Sequence, residues 1–431
     1  MKRTMMELAT ELFPICRSIT GEGVRKTHDI IRQEIPELKT FEVPSGTKVF
    51  DWTVPKEWKI RAAYIDRILE DGSCERVIDF AELNLHVLGY STPVDVTISR
   101  EELLEHVYVE EKDETAVPYV TSYYTERWGF CMTKKMRDSL PEGKYHCVID
   151  SELFDGSLTY SEVIFPGKTD KEIFFSTYTC HPSMANNELS GPCVVTKVCD
   201  YIRNLKDRKY TYRIVFIPET IGSITYLSRN LEDMRGRVVA GFNVTCVGDE
   251  RDYSMVETRY GNTLTDRLLG NLLYYRKNDF TRVSYLRRGS DERQYCMPGV
   301  DLPVCAINRS KFHDYPEYHT SHDNLSIISE AGMQGTVDVL TDAIDVLEAN
   351  AVYRITCFCE PQLGKRGLHP TISKRGQKGF KEEADMMKDF LAYADGTNDL
   401  VSIAEIIGVS AERLVPLAKK LLEVELIKEE K

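Results

Sequence analysis

The stretch EIFFSTYTCHPSMANNELSG, residues 172–191, runs from an unbroken apolar segment into His181. An asparagine and a glutamate follow six and seven residues later, and then a small-residue turn. Apolar residues without polar alternation suit a strand covered on both faces. The texture repeats downstream: CVVTKVCDYIRNL (193–205) reads as a helix, YRIVFIP (212–218) as a strand, ITYLSRNLEDM (224–234) as a helix and VVAGFNVTCVG (238–248) as a strand. It resumes at DLPVCAINR (301–309) and closes on the helical SIISEAGMQGTVDVLTDAIDVLEANA (326–351). Such alternation predicts an α/β fold, a mostly parallel sheet between two helical layers.

Outside this region the pattern changes. VRKTHDIIRQEI (24–35) places Val24, Thr27, Ile30, Ile31 and Ile35 on one helical face, expected to pack on the sheet. From Phe41 to Gly167, short alternating runs such as RAAYIDRIL, ERVIDFAE and YHCVIDSEL are separated by turn residues and read as an inserted β-rich module. EPQLGKRGLHPTISKRGQKG (360–379) reads as a linker. Beyond it, FKEEADMMKDFLAYADG and SIAEIIGVSAERLVPLAKKLLEVELIKEE give helix, helix, turn, helix and short strand, like a winged helix. The expected division is residues 1–40 and 168–360 as one discontinuous domain, 41–167 as the insert and 379–431 as the winged helix.

Composition excludes several classes. A formal charge of −13, with only Arg413, Lys419 and Lys420 on the last helix, argues against nucleic acid as a partner. No apolar run reaches the roughly 18 residues that span a bilayer, and the N-terminus lacks the apolar centre of a secretory signal, so a cytoplasmic protein without a membrane partner is expected. Twelve cysteines without a C-x-x-C pair read as reduced core residues, with Cys357 and Cys359 on one face of a strand. Strand edges and a helical tail leave room for a homo-oligomer.

In open α/β sheets ligands bind beyond the carboxyl ends of the strands. His181, Glu219 and the group Thr245, Cys246 and Asp249 fall there, and YHTSHDN supplies His319, His322 and Asp323 before the last helix. Two histidines with carboxylates between them suit zinc, and Glu219 is placed to take a proton from a bound water. The alternative for Glu219 is a carboxylate at a helix N-terminus, favoured by the helix dipole. Cys180 and Cys246 adjoin the site but are read as core, because strand neighbours point to opposite faces.

This arrangement resembles the co-catalytic zinc aminopeptidases. His181 matches their first metal histidine, ANNELSG (185–191) their A-N-D-N-x-S-G turn, ETIGS from Glu219 their E-E-x-G segment, and HTSHD from His319 their late H-T-x-x-D. GSDERQY (289–295) and CRSITGEG (16–23) also resemble family segments. The departures are specific: Asn187 stands for the bridging aspartate, Thr220 for the second glutamate and Thr245 for the third-strand aspartate. Three neutral side chains cannot balance two zinc ions, so the resemblance implies one zinc per chain, held by His181, His319 and Glu188, with Asn187 as the next choice of ligand. Arg287, Arg288, Asp291, Arg293 and His322 are expected to shape the substrate pocket; each arginine could equally form a surface ion pair.

Segments such as DWTVPKEW, PYVTSYY, RWGFC and GSDERQY resemble more narrowly a bacterial group of aminopeptidase-like proteins, often labelled polysaccharide-biosynthesis proteins with an aminopeptidase-like domain. In that group a β module reminiscent of a protease-associated domain is inserted, and a winged helix ends the chain. The resemblance implies a metal-dependent hydrolase of amide or peptide bonds acting on a peptide or small amide. The alternatives are a non-catalytic metabolite-binding or regulatory protein with a degenerate site, and a hydrolase of an amino-sugar amide.

Overall fold

A computed structural model describes residues 1–368 and 378–430. Eight strands form the main sheet, in the order Lys39–Pro44, Ser157–Phe165, Thr211–Ile217, Glu172–Tyr178, Val238–Val244, Val304–Asn308, Ser254–Val256 and Thr281–Val283. The four central strands are parallel, as expected; the flanking pairings Lys39–Pro44 with Ser157–Phe165, Ser157–Phe165 with Thr211–Ile217, and Val304–Asn308 with Ser254–Val256 are antiparallel. With Ser254–Val256 and Thr281–Val283 also parallel, four of the seven pairings are parallel and the sheet is mixed.

Alternation along each strand divides the core. Ile214 and Phe216 face the helices Met5–Leu12, Ser190–Asn204, Leu264–Arg276 and Glu330–Ala349, whereas Val215 and Ile217 face the helix Ile221–Met234 and the inserted module. This is a three-layer α/β/α arrangement. The central strand Glu172–Tyr178 hydrogen-bonds to Thr211–Ile217 on one side and Val238–Val244 on the other, and the two connecting helices lie on opposite faces. The chain thus reverses direction at the carboxyl end of that strand, where a crevice opens. Gly191 lets the following helix settle onto the sheet: a Cβ there would lie 2.5 Å from the Val244 carbonyl oxygen.

Two expected boundaries move. Lys39–Pro44 and Ser157–Phe165 belong to the main sheet, so the separate four-stranded sheet of the insert begins at Glu57 and ends at Phe154, inside the 41–167 span. At the other end, Val352–Ile355 pairs with Asp395–Asp399 and Ile427–Glu429, so the C-terminal unit begins before residue 360. Cys357 and Cys359 follow that strand in bends rather than sharing its face, because the strand stops at Ile355. The winged helix docks on the main domain through Arg267, which reaches Glu405 and Ser402, and Asn271, which bonds Val409 and Ala411. Part of the 360–379 linker, residues 369–377, lies outside the described residues. No helix among the described residues is long and apolar enough to cross a membrane.

His28 ties the second helix, Glu22–Arg32, to the sheet. It is fully buried, with Nε2 2.8 Å from the Thr179 hydroxyl and Nδ1 2.9 Å from the Ser161 hydroxyl. Burial, helped by Arg32, pushes its imidazole down to about 3. The folded value lies below the ordinary one, so the stabilisation is complete above about pH 6.5 and is lost as pH falls toward 3. Between pH 6.5 and 5 this group should cost about 2 kcal/mol. Urea unfolding should therefore show a steeper acid loss for the wild type than for His28→Asn; equal slopes would exclude this role for His28.

Candidate functional site

The strand Glu172–Tyr178 ends three residues before His181, and the chain then enters a π-type turn, Ala185–Leu189, in which Asn187 has non-helical angles. Asp323 holds this turn. Its Oδ1 accepts from the backbone N–H of Ala185 and Asn186, and its Oδ2 from the N–H of Asn187 and from the Tyr315 hydroxyl. The Asn187 side chain donates to the Tyr178 hydroxyl at 3.1 Å and to Cys246 Sγ at 3.4 Å, leaving its Oδ1 buried without a partner.

Glu188 is completely buried and is not among the residues that line the cavity. Its Oε1 takes the Nε–H of Arg17 at 2.7 Å; its Oε2 accepts from the N–H of Cys180, from the N–H of His181 at 2.6 Å and from His181 Nδ1 at 3.1 Å. Both oxygens are committed. Since a carboxylate only accepts, the proton of His181 sits on Nδ1 and Nε2 presents a lone pair, the usual support for a metal-binding imidazole. The expectation that Glu188 is itself a ligand is thus replaced by a holding role. Cys180, His181 and Glu188 offer donor atoms within 4.8 Å of one another. That trio suits a metal poorly, because Arg17 neutralises the carboxylate, and burial and the Glu188 charge push the Cys180 thiol well up.

His319 approaches from the opposite wall, its ring centre 5.3 Å from that of His181. It stacks on Tyr318 and its Nε2 is buried without a partner. Burial, then the neighbouring His181 and His313, push its imidazole well below the ordinary range, so it is neutral and able to ligate. Glu219 follows the strand Thr211–Ile217, with Oε2 3.8 Å from His181 Nε2. Burial raises its carboxyl while His181 and Arg293 pull it down. Thr220, Cys246 and His319 all adopt positive φ, of 64°, 52° and 57°. Backbone strain in residues other than glycine concentrates at functional sites.

The insert roofs the crevice. The N–H of Tyr119 donates to the His319 carbonyl, and Val117 and Ser321 exchange two hydrogen bonds, so the segment 117–124 is sewn to the HTSHD loop. The resulting cavity, about 330 Å³, is lined by Trp52, Tyr119, Tyr123 and Tyr124 on one side and by His181, Glu219, Thr220, Arg293 and His319 on the other. None of the four aromatic residues, nor Arg17, was singled out from the sequence; Cys180 is buried in the core, as read, and also borders the cavity.

Among the expected pocket residues only Arg293 lines it. Arg287 pairs with Asp314 on the surface at 2.9 Å, and Arg288 lies over the Tyr285 ring, because the short 3-10 turn Tyr285–Arg287 directs both outward. His322 is half-buried beside Thr115 and Asp113, away from the cavity lining. Asp291 is buried beneath the site, accepting from the Thr220 N–H and the Ser223 hydroxyl; burial and the Glu219 charge push it up to about 7.

The donor set fits one metal ion rather than two. The orphaned His319 Nε2 and Asn187 Oδ1 and the free Nε2 of His181 are the unused donors. At the places where a second ion would need anions, Thr220 accepts from Arg293 and Thr245 is hydrogen-bonded to Tyr178.

Comparison with known proteins agrees with this architecture. A Clostridium acetobutylicum protein, provisionally named a polysaccharide biosynthesis protein with an aminopeptidase-like domain, is 44% identical over 422 residues, covering 98% of this chain and 95% of that protein. The crystal structure of a provisionally named peptidase from the same organism superposes with a TM-score of 0.90 at 43% identity, over 99% of this chain and 96% of that one. A zinc aminopeptidase from Bacillus subtilis shares the fold at 12% identity and a TM-score of 0.58, over 79% of this chain and 92% of that one. Residues 351–429 match a winged helix-turn-helix. Residues 6–350 match the family described as a domain of unknown function, DUF4910, and the chain belongs to that family.

Proposed function

We propose that this chain is an aminopeptidase-like hydrolase of amide or peptide bonds working with one zinc ion. The observation that carries the reading is the convergence of His181, His319 and Glu219 on one cavity, with His319 Nε2 buried and unpartnered; Asn187, behind that lining, keeps a second buried acceptor, Oδ1, without a partner. His181, His319 and the Asn187 oxygen would hold the ion. A zinc ion bound there would polarise a carbonyl and bring the pKa of a coordinated water toward about 7. The protein's own part is distinct. Glu188 and Arg17 fix the His181 ring, and Asp323 fixes the Asn187 turn. Glu219 receives a proton from water and returns it to the leaving nitrogen, and the tyrosine wall excludes bulk water.

A peptide or small amide suits the dimensions of the cavity; the name of the Clostridium relative makes an amino-sugar amide the alternative substrate. A second reading rests on Asn187, Thr220 and Thr245, neutral where the resemblance expects anions: a metabolite-binding protein whose docked winged helix relays occupancy. With only Arg413, Lys419 and Lys420 exposed around its last helix and a net charge of −13 on the chain, the docked unit offers a thin electrostatic footprint for nucleic acid, which favours a protein contact.

Metal analysis of the full chain purified without chelator tests the first reading. About one zinc per chain is expected, falling at least tenfold in His181→Ala and His319→Ala. Zinc content that stays near zero on titration, or that survives both substitutions, would remove the metal from the mechanism.

A further inference from the structure

Arg293 is a cation in the cavity with no ion-pair partner within 4.0 Å among the described residues. Its position is set at both ends. The guanidinium donates to the Thr220 hydroxyl, and its backbone carbonyl accepts from the Tyr285 hydroxyl at 3.1 Å. Its Nε is buried without a hydrogen-bond partner. Neither neighbouring carboxylate pairs with it within 4.0 Å: Asp291 Oδ1 holds Thr220 and Ser223 while its buried Oδ2 has no hydrogen-bond partner, and Glu219 stands beside His181. A buried guanidinium N–H without an acceptor is costly, and its fork geometry matches a planar anion. By contrast Arg287, six residues earlier, is matched on the surface by Asp314.

The remainder of the cavity is aromatic. Tyr119 and Tyr123 share a hydroxyl–hydroxyl bond of 2.6 Å, and Trp52 meets Tyr124 edge to face at 5.6 Å at the mouth. An ammonium group on the ligand would be repelled by Arg293; a carboxylate would supply its missing acceptor.

We infer that Arg293 anchors a carboxylate of the substrate, so the cavity takes a small N-acyl amino acid bound by its free carboxyl end with its side chain against the tyrosine wall. This deepens the hydrolase reading and rests on it for the identity of the scissile bond, but the anion site itself is a matter of binding alone.

Calorimetric binding to the full chain as purified separates the two. The probes are N-acetyl-L-tyrosine and its neutral isostere N-acetyl-L-tyrosinamide, measured with wild type, Arg293→Gln and Arg293→Lys. The carboxylate should bind at least about tenfold more tightly than the amide to wild type, the preference should vanish in Arg293→Gln, and Arg293→Lys should restore part of it. Unchanged thermal unfolding of the variants would establish that the fold is intact. Equal binding of the two probes by wild type, a preference that survives Arg293→Gln, or no saturable binding at millimolar concentration would each overturn the assignment. A carboxylate preference in protein that holds no zinc would retain the anion site while removing the hydrolase reading.

Discussion

Truncation of Glu188 to alanine should destabilise the protein by about 3–5 kcal/mol, the cost of leaving a buried charge without its partner. Arg17 and Glu188 are both completely buried, and Arg17 has one further acceptor besides Glu188 and the His181 carbonyl, the carbonyl of Leu12. Losing the carboxylate strands the guanidinium and also frees the N–H groups of Cys180 and His181. Replacing both ends of the pair, Arg17→Met with Glu188→Leu, should recover much of the loss, because the expensive species is the unpaired ion. Denaturant midpoints of the single and double variants measure this directly. A Glu188→Ala loss below about 1 kcal/mol would mean that the pair is not buried as described. On the one-zinc reading the same variant should also lose the metal, since His181 would no longer be held in one tautomer.

That pair also shows where sequence reasoning stops. His181, Glu219 and His319 were legible because each follows an element whose period announces its end, and strand ends of a parallel sheet meet at one edge. The role of Glu188 was not. It depends on Asn187 breaking the helical turn, which swings Glu188 toward an arginine 171 residues earlier in the chain. No local pattern encodes that meeting.

Cys180 was assigned to the core on the alternation rule, which holds only while the strand continues. The strand stops at Tyr178, so the rule does not reach Cys180; the residue is nonetheless buried in the core while also bordering the cavity. The tyrosine wall comes from an insert whose segment 117–124 is positioned by bonds to residues 319–321, a pairing across roughly two hundred residues. Arg287, Arg288 and Arg293 looked alike as local charges. Only the short turn at Tyr285–Arg287 and the bond from Arg293 to Thr220 separate the surface pair from the pocket cation. The antiparallel strands Lys39–Pro44 and Ser157–Phe165 were missed for a related reason: they lie on either side of the insert, whose texture they share.

Glu219→Gln distinguishes enzyme from binding protein. The substitution keeps the volume and one hydrogen-bonding oxygen but removes the proton acceptor, and Glu219 is 21% exposed, toward the cavity rather than packed in the core. Folding and zinc content should therefore change little. If the site hydrolyses amides, turnover of a cleavable substrate should fall by about 10²–10⁴, the usual contribution of a positioned acid–base group. The fall should appear in kcat with KM nearly constant, since Glu219 acts on a proton in flight rather than on the bound ground state. A loss smaller than tenfold would assign proton transfer elsewhere, and Asp291 lies too deep to replace it, its Oδ1 bonded to Thr220 and Ser223. If the wild type turns over no amide while ligand binding is indifferent to Glu219→Gln, the site is a receptor. The two histidines then serve occupancy rather than chemistry, and the physical question shifts to how the Leu264–Arg276 helix, which carries Arg267 and Asn271, reports that occupancy to the winged helix docked on it.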